Sequence, residues 1–494
     1  MTEDRPPGED APAGFLPAVP VGRPVRDLAL EAEIAPEAAA RLFRLPCLAG
    51  IAAGRSATER LLWLDAADAP LGARGVAAER APRGPARVVG LAPDWAGEAP
   101  AAGDLPAALL PFAGWEGRRR EGVLATAAGP VTVALRSGRI RAAAAEAEAA
   151  RVTMGGAADA VLPLLHALSA EAGAAPPAAS LAGQARALSR GEVPRVGPPP
   201  RRDVLPDDLD AIGAMALTDA ATALLHFAPA AGNDAEALRK MRVAVRRLRA
   251  VLKALQPRTA CPEVAALDAL AGGFGRRLGV ARDWDAFLGG AAARVAAALG
   301  EPDARLGALV RRAEARRAEA LVALREEVAG AGFRRLVWSL LCVAAARPWD
   351  DGCPPPEVGA HAAQVLSRRW SRVRRRGGAV EDGDARALHE LRLAGKRLRY
   401  AALAFAPLWP GRDARRFFER LEELQEVLGQ ANDAAVARRL AAECVGRDSR
   451  RAWAAGLIEG WSLAEEARAR KRAGRSWKRL RRTDPFWAAP SMSG

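Results

Sequence analysis

The sequence has little of the residues that most often carry chemistry. Only four histidines occur, His166, His226, His361 and His389, and only five cysteines, Cys47, Cys261, Cys342, Cys353 and Cys444. The histidines do not cluster at metal-ligand spacing, and the cysteines are odd in number with no CxxC pair. A zinc site and a disulfide framework are therefore not expected, and no metal or other cofactor is expected. No run of about 18 apolar residues is evident, so neither a membrane span nor a membrane partner is expected. The opening Met1 to Asp10 is acidic and proline-rich, unlike the basic start and apolar core of a secretory signal. The expected compartment is the cytoplasm. Aromatic residues make up only 5% of the chain, and no lysine occurs in its first 200 residues.

Against these absences stands a strongly uneven charge. The net charge is +15. Residues 1–200 hold 21 basic and 22 acidic side chains, and residues 201–494 hold 52 and 36, so the first part carries −1 and the second +16. A domain with such an excess attracts phosphate-rich polymers, nucleic acids or anionic surfaces.

The length of 494 residues suggests two to four domains. A break falls at Gly191 to Arg202, GEVPRVGPPPRR, whose consecutive prolines favour a stiff extended spacer. Upstream, the text reads as mixed α/β. A short helix is expected over Pro36 to Leu45, strands over Arg87 to Leu91 and Val131 to Leu135, a turn at Ser137–Gly138, and a helix over Ala157 to Glu171. Downstream, helical periodicity dominates, with candidates at 207–227, 234–256, 262–278, 281–298, 303–329, 333–346, 357–376, 385–407, 412–428, 431–446, 450–470 and 472–482.

An internal repeat runs through this part. MRVAVRRLRAVLKAL from Met241 matches LRLAGKRLRYAALAF from Leu391, and LGVARDWDAF from Leu278 matches LGQANDAAVA from Leu428, both at an offset of 150 residues. In the first copy Arg239, Arg242, Arg246, Arg249 and Lys253 recur at helical spacing on one face, while Met241, Val245, Leu248 and Leu252 form an apolar ridge on another. In the second copy the basic positions are His389, Arg392, Lys396 and Arg399, and Arg247 and Arg397 flank the two stripes. Aligned like charges destabilise an isolated helix by a few tenths of a kcal/mol per pair (~0.2–0.5), so a doubled stripe points to an anionic ligand. Arginine suits phosphate because its planar fork gives two parallel hydrogen bonds. A further cluster spans Arg368, Arg369, Arg372, Arg374, Arg375 and Arg376, of which Arg368 and Arg372 are taken as candidate contacts, and another closes the chain. His389 suits either a helix-start hydrogen bond or ligand contact. Asp283, Asp285, Asn432 and Asp433 follow the LGxA landmarks. They suit caps of helices starting near 284 and 433 or braces for the arginines better than metal or acid–base chemistry.

The helices ALRKMRVAVRRLRAVLKAL and ALHELRLAGKRLRYAALAF resemble the two signature helices of the CHAD family (conserved histidine α-helical domain). RRLGVARDWDAFL, LQEVLGQANDAAVA and the ending WKRLRRTDPFW also resemble that family. The resemblance covers about 203–487. It implies an all-α domain of two pseudo-symmetric four-helix bundles with a basic surface for polyphosphate. The family's first signature histidine corresponds to Arg239, and the second survives as His389.

The preceding residues 21–190 resemble, more faintly, the CYTH family, an antiparallel β-tunnel that hydrolyses triphosphates with metal-bound carboxylates. The family's ExExK opening falls on Asp27, Ala29 and Glu31, which puts an acid at the lysine position. Its paired-glutamate strand falls near Arg151 to Met154 and its later basic signature on Ser180, Leu181 and Gln184, none of which keeps the family's charge. The expectation is a multidomain chain: a disordered tail at 1–20, a degenerate and catalytically inactive α+β domain at 21–190, a linker at 191–202 and the helical domain at 203–487. The expected activity is binding of inorganic polyphosphate or another polyanion, with localisation to polyphosphate granules. A divergent metal-dependent triphosphatase is the enzyme alternative. Nucleic-acid binding is the third, disfavoured by the scarcity of aromatics for base stacking.

Overall fold

The computed structural model describes residues 27–96, 105–200, 203–256, 258–350, 352–378 and 385–488, and the expected tail at 1–20 lies outside them. Two compact units emerge. One takes the chain up to Arg195 together with Ala260–Ala269 and Leu341–Cys353, and the other takes Val196–Thr259, Leu270–Leu340 and the chain from Pro354 on.

The first unit is an antiparallel β half-barrel. Its elements are β1 (Asp27–Glu33), α1 (Pro36–Ala39), β2 (Ala52–Ala53), β3 (Ala57–Asp65), α2 (Pro70–Ala73), β4 (Val76–Arg80), β5 (Arg87–Gly90), β6 (Leu110–Thr126), β7 (Gly129–Ala142), β8 (Glu146–Ala157), α3 (Ala158–Glu171) and α4 (Leu181–Ser189). The sheet order is β1-β8-β7-β6-β3-β4-β5, with β2 beside β6. Strand alternation separates the faces. In β1, Leu28, Leu30 and Ala32 are buried on one side, and Asp27, Ala29, Glu31 and Glu33 share the other. Helix α3 packs on β1, β7 and β8, and α4 on β5, β6 and β7. Ser180 starts α4 by accepting from the Gly183 amide at 3.1 Å while its hydroxyl donates to the Gly90 carbonyl at 2.6 Å. Trp63, Trp115, Ile140 and Ala149 pack with Leu181 and Ala185 under α4.

Two local expectations are corrected. No turn occurs at Ser137–Gly138, because β7 runs straight through it and Gly138 pairs with Gly117 of β6. A Cβ on Gly138 would lie 2.4 Å from the Gly117 Cα, so the glycine allows two strands to approach rather than the chain to reverse. The helix expected over Pro36 to Leu45 is only one turn, followed by 3₁₀ turns at Leu42–Arg44 and Pro46–Leu48.

The second unit draws on α5 (Leu209–Phe227), α6 (Ala235–Ala254), α7 (Pro262–Ala286), α8 (Ala293–Leu299), α9 (Ala304–Ala329), α10 (Ala331–Ala346), α11 (Val358–Gly378), α12 (Ala385–Phe405), α13 (Arg412–Glu443) and α14 (Ser449–Leu480). The duplication is visible in the helix starts. Helices α6 and α12 begin at 235 and 385, and α7 and α13 at 262 and 412, each pair 150 apart; α5 and α11 begin at 209 and 358. One apolar core joins α11, α12, the first half of α13 and the second half of α14 with the ends of α5 and α6. Another joins the end of α7, α8, α9, the second half of α13 and the first half of α14. Several expected breaks are absent: α13 and α14 each run unbroken for 32 residues, and α7 continues into a π-helical turn at Phe287–Ala292 and on into α8. Alanine and leucine at the expected joints favour helix continuation. One segment is apolar on average, although Asp210 and Asp219 interrupt it. The segment Leu209–Ala230, which contains α5, is long and apolar enough by length and composition, but half of its apolar window is buried.

Below α4, the face of the half-barrel turns charged. Arg151 is almost fully buried. It lies 3.7 Å from Glu31 and 3.3 Å from Glu33, and donates to Gln184 Oε1 at 2.9 Å. Glu31, at the lysine position of the resemblance, thus faces an arginine where that resemblance places glutamate. Burial pushes the Glu31 carboxyl up to about 7, while Arg151 pulls the other way. A carboxyl raised on folding contributes stability that is present below its ordinary value of 4.5 and is lost as pH rises through about 7. Glu31→Gln should therefore flatten the fall in unfolding free energy between pH 5 and 8 by up to about 1.4 kcal/mol per pH unit, measured by denaturant titration. An unchanged slope would mean that the carboxyl is already ionised in the fold.

Candidate functional site

Helix α6 is started by Asp234, whose carboxylate accepts from the Glu236 amide at 2.8 Å. Its apolar ridge is buried as its spacing requires: Met241, Val245, Leu248 and Leu252 are all at most 2% exposed. The matching α12 positions Leu391, Leu398 and Ala402 are buried too, and the two helices pack on each other. At Gly395 a Cβ would stand 2.1 Å from Gln425 Nε2, so α13 approaches α12 where no side chain intervenes.

This packing brings four of the expected cations together. Arg242, Arg246, Arg392 and Lys396 are half-buried. Burial, followed by the nearby Arg246, lowers the pKa of Arg242. Arg392 is lowered by burial and by Arg246, against the pull of Asp433 and Asp283. Lys396 moves furthest, down to about 7, through burial first and then Arg392 and Arg246. Buried nitrogens of Arg242 (Nη1), Arg246 (Nε) and Arg392 (Nε) have no hydrogen-bond partner. The Arg246 guanidinium lies 5.8 Å from the Tyr400 ring centre.

Two carboxylates face these cations, and both come from the repeated landmark. Asp283 lies 3.7 Å from Arg242 and 3.7 Å from Arg439, near enough to attract but too far for a hydrogen bond. Asp433 acts on Arg392 and Lys396 within the second repeat, and Asp283 acts on Arg392 across the repeats. The capping reading is corrected: Asp283 and Asp285 lie inside α7, and Asn432 and Asp433 inside α13, where no helix begins. The bracing reading holds for Asp283, and Asp285 braces Arg317.

The remaining candidates stand apart from this cluster. Arg239 is exposed and held by Glu236 through contacts of 2.5 and 2.6 Å. The Arg249 guanidinium lies against Gly272 of α7. Arg247 and Lys253 are exposed on α6, and His389 and Arg397 on α12. Arg399 pairs with Glu422 at 2.6 Å, and Arg368 donates to Gln364 at 2.7 Å. Arg372 is exposed beside Arg369, a residue noted in the sequence only as part of a run. Arg369 donates to the Arg397 carbonyl at 2.6 Å and the Ala250 carbonyl at 3.4 Å, tying α11 to both signature helices. Burial, Arg372 and Arg397 hold it down to about 10. Its core-facing partners are backbone oxygens, which leave no mark in a sequence.

Residues 215–442 match the family model of the CHAD domain. A solved structure described as the CHAD domain from the plant Ricinus communis is 28% identical, with a TM-score of 0.48, covering 60% of this chain and 99% of that one. A second, described as PptA from Streptomyces chartreusis, is 18% identical with a TM-score of 0.45, covering 55% and 100%. No curated protein matches the chain.

Removing a bracing carboxylate should expose the repulsion. Asp283→Asn is expected to lower stability by about 1–3 kcal/mol in low salt. Added salt should restore most of the loss, because screening weakens the repulsion between the remaining cations. Thermal melts at two ionic strengths check this, and a loss independent of salt would assign Asp283 a purely local role.

Proposed function

We infer that this chain, which carries a CHAD domain over residues 215–442, is a polyanion-binding protein whose ligand is inorganic polyphosphate. The observation that carries the reading is the meeting of Arg242, Arg246, Arg392 and Lys396, half-buried on two packed helices, with Asp283 and Asp433 as the carboxylates acting on them. Such a cluster is strained by its own charge. A chain of phosphates supplies the missing negative charge and the acceptors that the unpartnered guanidinium nitrogens lack. The flanking Arg247, Arg397, Arg372 and Lys253 extend the positive field outward. Each contact is modest, and several in register release counterions together.

The comparison with nucleic acid favours a bare phosphate polymer. Tyr400 is the aromatic beside the cluster, whereas Trp284, Trp370 and Trp477 are buried at 4%, 7% and 2% exposure and pack in the cores. Stacking surfaces for bases are therefore scarce beside these cations. For the half-barrel, a scaffold role is preferred over triphosphate hydrolysis, because Glu31 and Arg151 are engaged with each other.

Three outcomes follow. Arg242→Glu combined with Arg392→Glu should leave the domain folded by circular dichroism and weaken long-chain polyphosphate binding by at least about 100-fold, about 1.4 kcal/mol for each tenfold. Unchanged affinity in the folded variant would remove the cluster from the binding surface. In the wild type, log affinity should fall with log salt at a slope near −3, the value for about four neutralised phosphates on a flexible chain. The pH dependence follows from Lys396. A bound anion favours its ammonium form, so binding takes up a proton above about 7 and affinity strengthens as pH falls, levelling off at lower pH. Lys396→Arg should abolish most of that dependence while binding persists at pH 8.5.

A further inference from the structure

Helices α7 and α13 start 150 residues apart but then differ. After Ala286 the first repeat passes through the π-helical turn Phe287–Ala292, whereas the matching stretch of the second repeat, 437–442, is regular helix within α13. A π turn distorts backbone hydrogen bonding and occurs mostly as single turns, frequently at functional sites. Beside this turn lies a partly open cavity of about 370 Å³, lined by residues of α7, the turn, α8, α13 and α14. Its wall includes Gly289, where an added Cβ would meet nothing within 4 Å. Space is therefore present that the sequence leaves unfilled, within the size range of small-molecule sites.

Three polar atoms of the wall lack partners. The Ser462 hydroxyl belongs to a residue only 1% exposed, and neither it nor the Trp461 indole nitrogen Nε1 makes a hydrogen bond. Asp285 has one oxygen held by Arg317 and the other, Oδ2, buried and unpartnered. Unmet buried polar groups are costly, at roughly 1–3 kcal/mol each. The wall thus offers an N–H donor, a hydroxyl and a carboxylate acceptor. Its formal charges are mixed as well: Arg282 and Arg294 are cationic, and Asp285, Asp433 and Glu465 are anionic. Arg294 makes no hydrogen bond or ion pair among the described residues, whereas Glu465 pairs with Arg468. A phosphate chain would meet three carboxylates here, and a simple cation would meet two guanidinium groups. A molecule carrying both signs a few ångströms apart answers both.

We propose that this cavity binds a free amino acid, with the carboxylate toward Arg282, Arg294 and the Trp461 N–H, and the ammonium toward Asp285 Oδ2 and its acidic neighbours. The cavity adjoins the cationic cluster, with which it shares Asp433, but its proposed ligand does not depend on the polyphosphate reading.

The test is calorimetric titration of the full chain with each of the twenty common amino acids. The expected result is saturable binding of at least one of them. Trp461→Phe, which removes only the N–H, and Ser462→Ala should each weaken it about tenfold. Gly289→Val should abolish it by filling the space. All three variants should bind polyphosphate as the wild type does, so a failure here is distinguishable from a failure of the polyanion reading. Absence of saturable binding for all twenty would overturn the proposal. So would binding that Trp461→Phe and Ser462→Ala leave unaltered, or competitive displacement of the amino acid by polyphosphate, which would make the cavity part of the polymer's path.

Discussion

The repulsion among Arg242, Arg246, Arg392 and Lys396 is the constraint around which the helical unit is arranged. Packing α6 on α12 buries two apolar ridges, and the same packing pushes two cationic ridges into one half-buried cluster. Such a cluster is tolerable only with negative charge nearby. Asp283 and Asp433 supply it from α7 and α13, at equivalent points of the two repeats. The attraction of Asp283 is incomplete, since it stands 3.7 Å from Arg242 and shares its charge with Arg439. The result is a positive centre that is braced but not neutralised.

The half-barrel handles buried charge in the opposite way. Arg151 is surrounded by Glu31, Glu33 and Gln184, so its charge is matched from within. One unit closes its charge on itself, and the other leaves part of its charge unmatched. Net charge alone hinted at this division, because the whole positive excess lies after residue 200.

Much of the helical unit was legible from periodicity. The stripes, the apolar ridges and the repeat offset all reappear as helices α6 and α12 with matching buried faces. Spacing could not reveal which basic residues meet. Arg239 and Arg242 share a stripe, yet Arg239 is held by Glu236 on its own helix while Arg242 turns to a partner on α7. That difference depends on an acid three residues away and on a helix 40 residues on, and only the second needs the fold. The landmark aspartates suit caps or braces in sequence; they brace, because the surrounding alanines and leucines carry the helix through. In the half-barrel, alanine-rich strands hid their length, and Gly138 was taken for a turn because its cross-strand partner, Gly117, is 21 residues away.

The two 32-residue helices carry a consequence for how the domain comes apart. Each of α13 and α14 lends one half to one apolar core and the other half to the second. Neither core can melt while its two shared helices stay docked in the other without leaving half of each as an unsupported rod. Loss of order in one core should therefore be transmitted along the rods to the other, so that the two halves are expected to unfold together. The repeat sets two helical units side by side, and the continuous helices α13 and α14 join them.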